Sequence, residues 1–176
     1  MIWLARHGET ADNAVRRFQG QGPVGLNDRG REQAHALAEE AAGHDFAALW
    51  CSPLPRARQT AEIVADRLGL EPVDDPRLME TDAGAWTGRL FDDVAAEDPE
   101  RFGGFVAGAA DFAFPGGESF AEQQDRVCAA LDDIRAAGPL PALVVCHRNS
   151  MRLALERAHG ARLSLDAVPN GALVAL

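Results

Sequence analysis

Three short stretches carry side chains whose types and order suit chemistry on an anion. Arg6-His7-Gly8-Glu9-Thr10 follows the apolar run Ile2–Ala5, Ser52 to Arg56 follows Phe46–Cys51, and His147-Arg148-Asn149-Ser150 follows Pro141–Cys146. An imidazole such as His7, set between a fixed cation and a glycine, suits a nucleophile that meets an anionic electrophile at close range. Alone, an Arg-His pair is weak ground, because a hydrogen-bonded strand-end histidine reads the same way. Glu80 is either a solvated charge or a proton donor for a leaving group. The second role requires burial or a nearby negative phosphate to favour the protonated carboxyl, and the residues leave the choice open.

The elements that must position these groups follow from local patterns. The apolar run from Ile2 reads as a buried strand, too short for a core helix, with Gly8 ending it through backbone angles other residues avoid. His7 is therefore expected at a strand's C-terminal end, with an exposed side chain. Phe46–Cys51 is a second strand, and Ser52-Pro53 reads as a capping hydroxyl followed by proline at the first helical position. That helix carries Ala57, Ala61, Val64, Ala65 and Leu68 inward and ends near Gly69. Arg56 and Arg58 fall in its first turns, where the helix dipole disfavours cations. The conflict resolves if one of them and the exposed amides address one anion, the other forming a surface ion pair; Arg56 is the choice for the site. Pro141–Cys146, the most apolar run, reads as a central strand, with Asn149 or Ser150 capping the helix after it. In an open α/β sheet the carboxyl ends of parallel strands line one crevice. Two histidines and at least two arginines thus converge on a site matched to a doubly negative phosphoryl group.

Elsewhere the chain supplies scaffold and walls. Thr10–Gly25, with Asn13, Arg16, Arg17, Gln19 and Gly20, reads as an ordered loop over the first strand end, where Arg17 is a candidate for substrate contact. Asp28–Gly43 has apolar residues at helical spacing, Ala34, Leu37, Ala38, Ala41 and Ala42. His35, His44 and His159 read as surface residues. Residues 71–79 suggest a loop with a third strand, and Trp86 between Gly84 and Gly88 a tight turn pinned by an aromatic. Residues 89–117 predict one or two short helices broken by Pro99 and Gly103-Gly104, forming a cap over the site. Ser119 with Glu122 forms a capping box opening a helix with Phe120, Val127, Leu131 and Ile134 inward, while Gly116 and Gly117 could expose amides to a ligand. Ala172–Leu176 closes the sheet.

The composition bounds the partners. At 176 residues the chain fits a single domain, 1–176, able to bury a core without metals or disulfides. The net charge of −10 argues against nucleic acid or an anionic membrane surface as partner, since both require a broad basic face. Cys51, Cys128 and Cys146 lack metal-ligand spacing and read as reduced thiols. No stretch reaches the roughly 20 apolar residues that cross a bilayer, and a cytoplasmic location is expected.

At this point the sequence resembles the histidine phosphatase superfamily, which includes the cofactor-dependent phosphoglycerate mutases and many small-molecule phosphatases. Arg6–Thr10 with Asn13 and Arg17-Phe18-Gln19-Gly20 is similar to the family's opening, and Ser52–Ala61 to its second block. Glu80–Gly88 resembles the block that bears the acid, Pro115–Ser119 one frequent in phosphatases, and Val145-Cys146-His147 the second-histidine block. The resemblance implies an open, mostly parallel α/β sheet flanked by helices. It implies that His7 attacks phosphorus and becomes phosphorylated, that Arg6, Arg56 and His147 hold phosphoryl oxygens, and that Glu80 protonates the leaving group and then activates water. No metal or cofactor is implied. The substrate would be a small phosphorylated molecule contacted by Asn13, Arg17, Gly20, Arg148 and Asn149. Two departures stand out: Val24-Gly25-Leu26-Asn27 replaces a frequent Pro-Leu-Thr, and Arg148 occupies the place of a glycine after the second histidine. A short segment over residues 90–140 favours hydrolysis, and Asn149-Ser150 favours the alternative of a mutase; a silent phospho-ligand-binding module is a third reading, against which intact His7 and Glu80 speak.

Overall fold

Strand ends decide this architecture. The computed structural model describes residues 1–109 and 111–176. Strand β1 (Ile2–Arg6) leads through a one-turn helix, α1 (Ala11–Ala14), to α2 (Asp28–Ala41). Next come β2 (Ala48–Cys51), α3 (Pro55–Leu68), β3 (Pro72–Asp74), α4 (Phe91–Glu97), α5 (Pro99–Ala107) and α6 (Phe120–Ala137). The chain closes with β4 (Ala142–Cys146), α7 (Arg148–His159) and β5 (Leu173–Ala175). The sheet order is β3-β2-β4-β1-β5, with only the edge strand β5 antiparallel among these. The expected mostly parallel α/β sheet is thus observed, with β4 at its centre and buried throughout.

Register places the chemistry. Arg6 lies opposite Cys146 and Cys51 opposite Val145, and the ladder runs one step further, His7 N–H donating to Cys146 and Ser52 N–H to Val145. His7, Ser52 and His147 therefore leave the sheet at one edge. Alternating strand residues supply the two faces. Ile2, Leu4 and Val144 pack with Val127, Leu131, Ile134 and Met151 of α6 and α7. Ala5, Leu49, Leu143 and Val145 pack with Leu37, Ala38, Ala61 and Val64 of α2 and α3. A third cluster, Phe18, Trp86, Phe105, Phe112, Phe114 and Phe120, lies beneath α4 and α5.

Four local expectations are corrected. α3 begins at Pro55 with Leu54 as its cap, because the Ser52 N–H still belongs to the sheet and the chain needs two more residues to turn. α7 begins at Arg148 with His147 in the cap position, so Asn149 and Ser150 lie in its first turn. Gly103 and Gly104 do not break α5 but lie within it; a β-carbon on Gly104 would touch the Phe112 ring at 3.4 Å. Gly8 is required for contact, not for unusual angles: a β-carbon there would sit 2.1 Å from the Gly30 carbonyl oxygen. The Ser119–Glu122 capping box and the tight turn at Trp86 are as expected, and the three cysteines are free. Among the described residues no helix is long and apolar enough to cross a membrane.

Candidate active site

The strand ends open into a cavity of about 510 Å³ lined by Arg6, His7 and Arg56 together with Phe91, Phe102 and Phe105. His7 is 2% exposed, not exposed as expected, because its ring packs beside the His147 ring and the Gly8 carbonyl while Asn170 Nδ2 donates to the His7 carbonyl. Its Nδ1 stands 2.6 Å from the Gly8 carbonyl. A carbonyl only accepts, so Nδ1 carries the proton and Nε2 holds the free lone pair. The His147 ring lies 5.1 Å away, centroid to centroid. Its Nε2 is 2.7 Å from Ser52 Oγ, and its buried Nδ1 has no partner.

The cations are anchored on backbone carbonyls. Arg56, 1% exposed, donates to the carbonyls of Gly20 (2.8 Å) and Gly22 (3.0 Å). Arg6 donates to the Val168 carbonyl at 2.6 Å. The Nε atoms of both are buried and unpartnered. Burial, followed by the neighbouring Arg148, pushes the Arg6 guanidinium down to about 9, and burial pushes Arg56 down to about 10. Burial and the charges of Arg56 and Arg6 hold His7 well below the ordinary histidine range, and burial with Arg56 does the same for His147. Buried positive charge is what a phosphoryl dianion relieves, and it keeps both imidazoles neutral near pH 7. Glu80 faces this cluster, its Oε1 accepting from Thr81 N–H (3.0 Å) and Gln123 Nε2 (3.1 Å), and its Oε2 from Asn149 N–H (3.4 Å).

The profile of the histidine phosphatase superfamily (branch 1) matches residues 2–174. The chain belongs to this superfamily. Among relatives, Probable phosphoglycerate mutase GpmB of Yersinia pestis (strain Pestoides F) is 39% identical over 145 residues, which are 81% of this chain and 67% of that protein. A mycobacterial glucosyl-3-phosphoglycerate phosphatase complexed with VO3 superposes with a TM-score of 0.86 at 28% identity, over 98% of this chain and 90% of its own. Bacillus stearothermophilus YhfR gives 0.86 at 28% identity, over 98% and 88%. Phosphatases and mutases are thus the company in which this superfamily member falls.

Within this histidine phosphatase fold the remaining expected site residues divide. Asn13 borders the cavity, but its Oδ1 accepts from Thr10 N–H at 3.1 Å in the capping box of α1. Gly20 also borders it, with its carbonyl committed to Arg56. Arg17 is tied to the Gly88 carbonyl at 2.6 Å and lies 3.4 Å from Asp12. Asn149 acts through its backbone N–H on Glu80, while its Nδ2 donates to Thr81 Oγ1 at 3.2 Å. Arg148 reaches into the cavity. Arg58 pairs with Glu62 and Asp74 on the surface, at 3.0 and 2.9 Å. Gly116 and Gly117 border a separate hollow with Asp82, Glu118 and Glu122, an acidic lining unsuited to an anion; a β-carbon on Gly117 would collide with the Asp82 carbonyl at 2.3 Å.

Two positioning residues escaped sequence reasoning. Gln123 is wholly buried on α6, where Nε2 serves both Glu80 Oε1 and Ser150 Oγ at 3.1 Å and Oε1 accepts from Thr81 Oγ1. Arg126 grips Glu118 with two bonds of 2.6 and 2.7 Å and donates to the carbonyls of Arg77, Met79 and Glu80. The available signal was Gln123 itself: it stands in the inward stripe between Phe120 and Val127, and a buried amide requires partners.

Proposed function

We propose that this protein is a phosphomonoesterase that hydrolyses a small phosphorylated metabolite through a phosphohistidine on His7. The observation that carries this reading is the free Nε2 of buried His7, fixed by the Gly8 carbonyl and surrounded by Arg6, Arg56 and His147, with Glu80 on the same cavity. In the first step Nε2 bonds to phosphorus, the P–O bond to the leaving group breaks, and Glu80 gives its proton to the departing oxygen. In the second, Glu80 as carboxylate takes a proton from water, whose oxygen bonds to phosphorus as the P–N bond breaks. Phosphate leaves and His7 is restored. Arg6, Arg56 and His147 stabilise the equatorial oxygens, the chief requirement of phosphoryl transfer. With two guanidiniums and an imidazole in that role, the reaction requires no metal or other cofactor. Residues 89–117 act as a cap, contributing Phe91, Phe102, Phe105 and Phe114 to the cavity. We place the activity in the cytoplasm, on a small-molecule partner.

The test is phosphate release from an aryl phosphate with and without chelator, followed by acid-labile labelling of the protein, comparing wild type with His7→Ala. Chelator-insensitive release and labelling, both lost in the variant, are expected. Undiminished release in a folded His7→Ala variant refutes the assignment. A mutase reading is favoured by the GpmB relative and by Asn149-Ser150; phosphoglycerate interconversion faster than phosphate release would select it.

A further inference from the structure

The mechanism above employs Arg6 and Arg56 and leaves three cavity cations, Arg16, Arg17 and Arg148, without a task. Arg17 is committed to Gly88 and Asp12. Arg16 and Arg148 share another neighbour: their Cζ atoms stand 5.6 and 5.9 Å from the centroid of the Phe91 ring, within cation–π range. Where Arg17, Arg89 and Arg152 find carboxylates at Asp12, Glu97 and Glu156, Arg16 and Arg148 find none within 4 Å among the described residues. The carboxylates acting on Arg148 from a distance are Glu80 and Asp166, the latter an exposed residue on the turn Leu165–Ala167.

Both cations are held against local preference. Arg16 has φ of 54°, in the left-handed region that a side-chain-bearing residue adopts only where its surroundings impose it. Its surroundings do: Arg16 N–H donates to Asn13, its carbonyl accepts from Phe91 N–H, and Arg17 pairs with Leu90. Arg148 opens α7, the end of a helix where a cation is disfavoured and an anion welcome. Burial and the charges of Arg152 and Arg16 press it below the usual guanidinium range, against the pull of Glu80 and Asp166. A cavity of about 510 Å³ also exceeds what a phosphoryl group fills, leaving room for a leaving group that reaches the Phe91 wall.

We propose that Arg16 and Arg148, braced on Phe91, form a second anion subsite that takes a negatively charged group on the leaving-group side of the ester. The inference rests on the phosphomonoesterase reading and names its substrate class: phosphomonoesters whose alcohol carries its own carboxylate or phosphate, in preference to neutral alcohols.

Three esters on one short chain test this: propyl phosphate, 3-(phosphonooxy)propanoate and propane-1,3-diyl bisphosphate. Wild type should prefer a charged ester over propyl phosphate by about tenfold or more in kcat/KM, the contribution of one charge-assisted hydrogen bond. The larger of the two preferences identifies the group. That ratio should fall at least tenfold in Arg148→Gln and in Arg16→Gln, the latter exposed at the rim so that folding is not at risk. Affinities of the same esters for His7→Ala, measured calorimetrically, give a readout that needs no turnover. If no ester is hydrolysed but charged ones bind more tightly in an Arg148-dependent manner, the phosphomonoesterase reading falls and the subsite stands. Hydrolysis of all three with equal kcat/KM, or a preference that neither variant moves, overturns the subsite and leaves the reaction intact.

Discussion

Replacing Glu80 by glutamine separates the carboxyl's chemistry from its packing, because the hydrogen bonds around it are unequal. Oε1 accepts from two N–H donors at 3.0 and 3.1 Å, from Thr81 and Gln123, while Oε2 has only the long contact of 3.4 Å from Asn149 N–H. In Glu80→Gln the amide oxygen takes the Oε1 place and keeps both strong bonds. The amide nitrogen falls on the Oε2 side, where it loses one weak acceptor contact. The expected cost in stability is therefore under about 1 kcal/mol, one marginal hydrogen bond, or no more than about 4 °C in Tm for a chain of this size. Catalysis should respond very differently. Loss of a general acid costs about 10²–10⁴-fold where the leaving group needs a proton, so an alkyl phosphate should slow by that factor while p-nitrophenyl phosphate, with its stable phenolate, slows by less than about tenfold. The assay is kcat/KM for both esters beside a melting curve. Equal slowing of the two by a variant that melts with the wild type would refute Glu80 as the proton donor.

Gln123→Leu removes one Glu80 donor and the partner of Thr81 and Ser150. It should lower kcat on alkyl phosphates by about 10- to 100-fold, one hydrogen bond to a charged group, and spare p-nitrophenyl phosphate; equal loss on both would assign Gln123 a purely structural role. Gly8→Ala forces a β-carbon to 2.1 Å from the Gly30 carbonyl, and such overpacking costs about 2–3 kcal/mol; a Tm within a degree of wild type would show that this contact relaxes freely. The histidines give a signed pH dependence. Their native affinities for protons are depressed, so below about pH 6.5 the unfolded chain binds protons the native one does not. Stability should be at full value above pH 6.5 and fall as pH drops, each histidine adding a slope approaching about 1.4 kcal/mol per unit. The fall should be shallower in His7→Ala, and a chemical denaturation series from pH 7 to 5 with identical slopes in both would contradict it. On the same ground kcat/KM should persist well below pH 6.5, since His7 stays unprotonated.

Much of this protein is written in short-range patterns. Apolar runs of four to six residues ending at Ala5, Cys51 and Cys146 announced parallel strands, and the charged or polar residue after each announced the site, because strand ends in such a sheet share one edge. The Ser119–Glu122 box and the inward stripe of α6 were legible for the same reason: caps and periodicity operate within one or two turns. What stayed out of reach depends on partners distant in sequence. Glu80 is held by Gln123, 43 positions away, and Gly20 serves the pocket by holding Arg56 with its carbonyl, 36 positions away. Of two adjacent loop arginines, the sequence favours Arg17, yet packing ties Arg17 to Gly88 and turns Arg16 toward Phe91 and Arg148. Gly8 fits against Gly30, a contact between backbone atoms that no side-chain pattern encodes. Residue types and spacing determined which groups reach the site; only the packing of loop, cap and α6 around it decided how each is oriented there, since every bond made within the chain fixes a side chain's direction and leaves only its remaining donors or acceptors for a substrate.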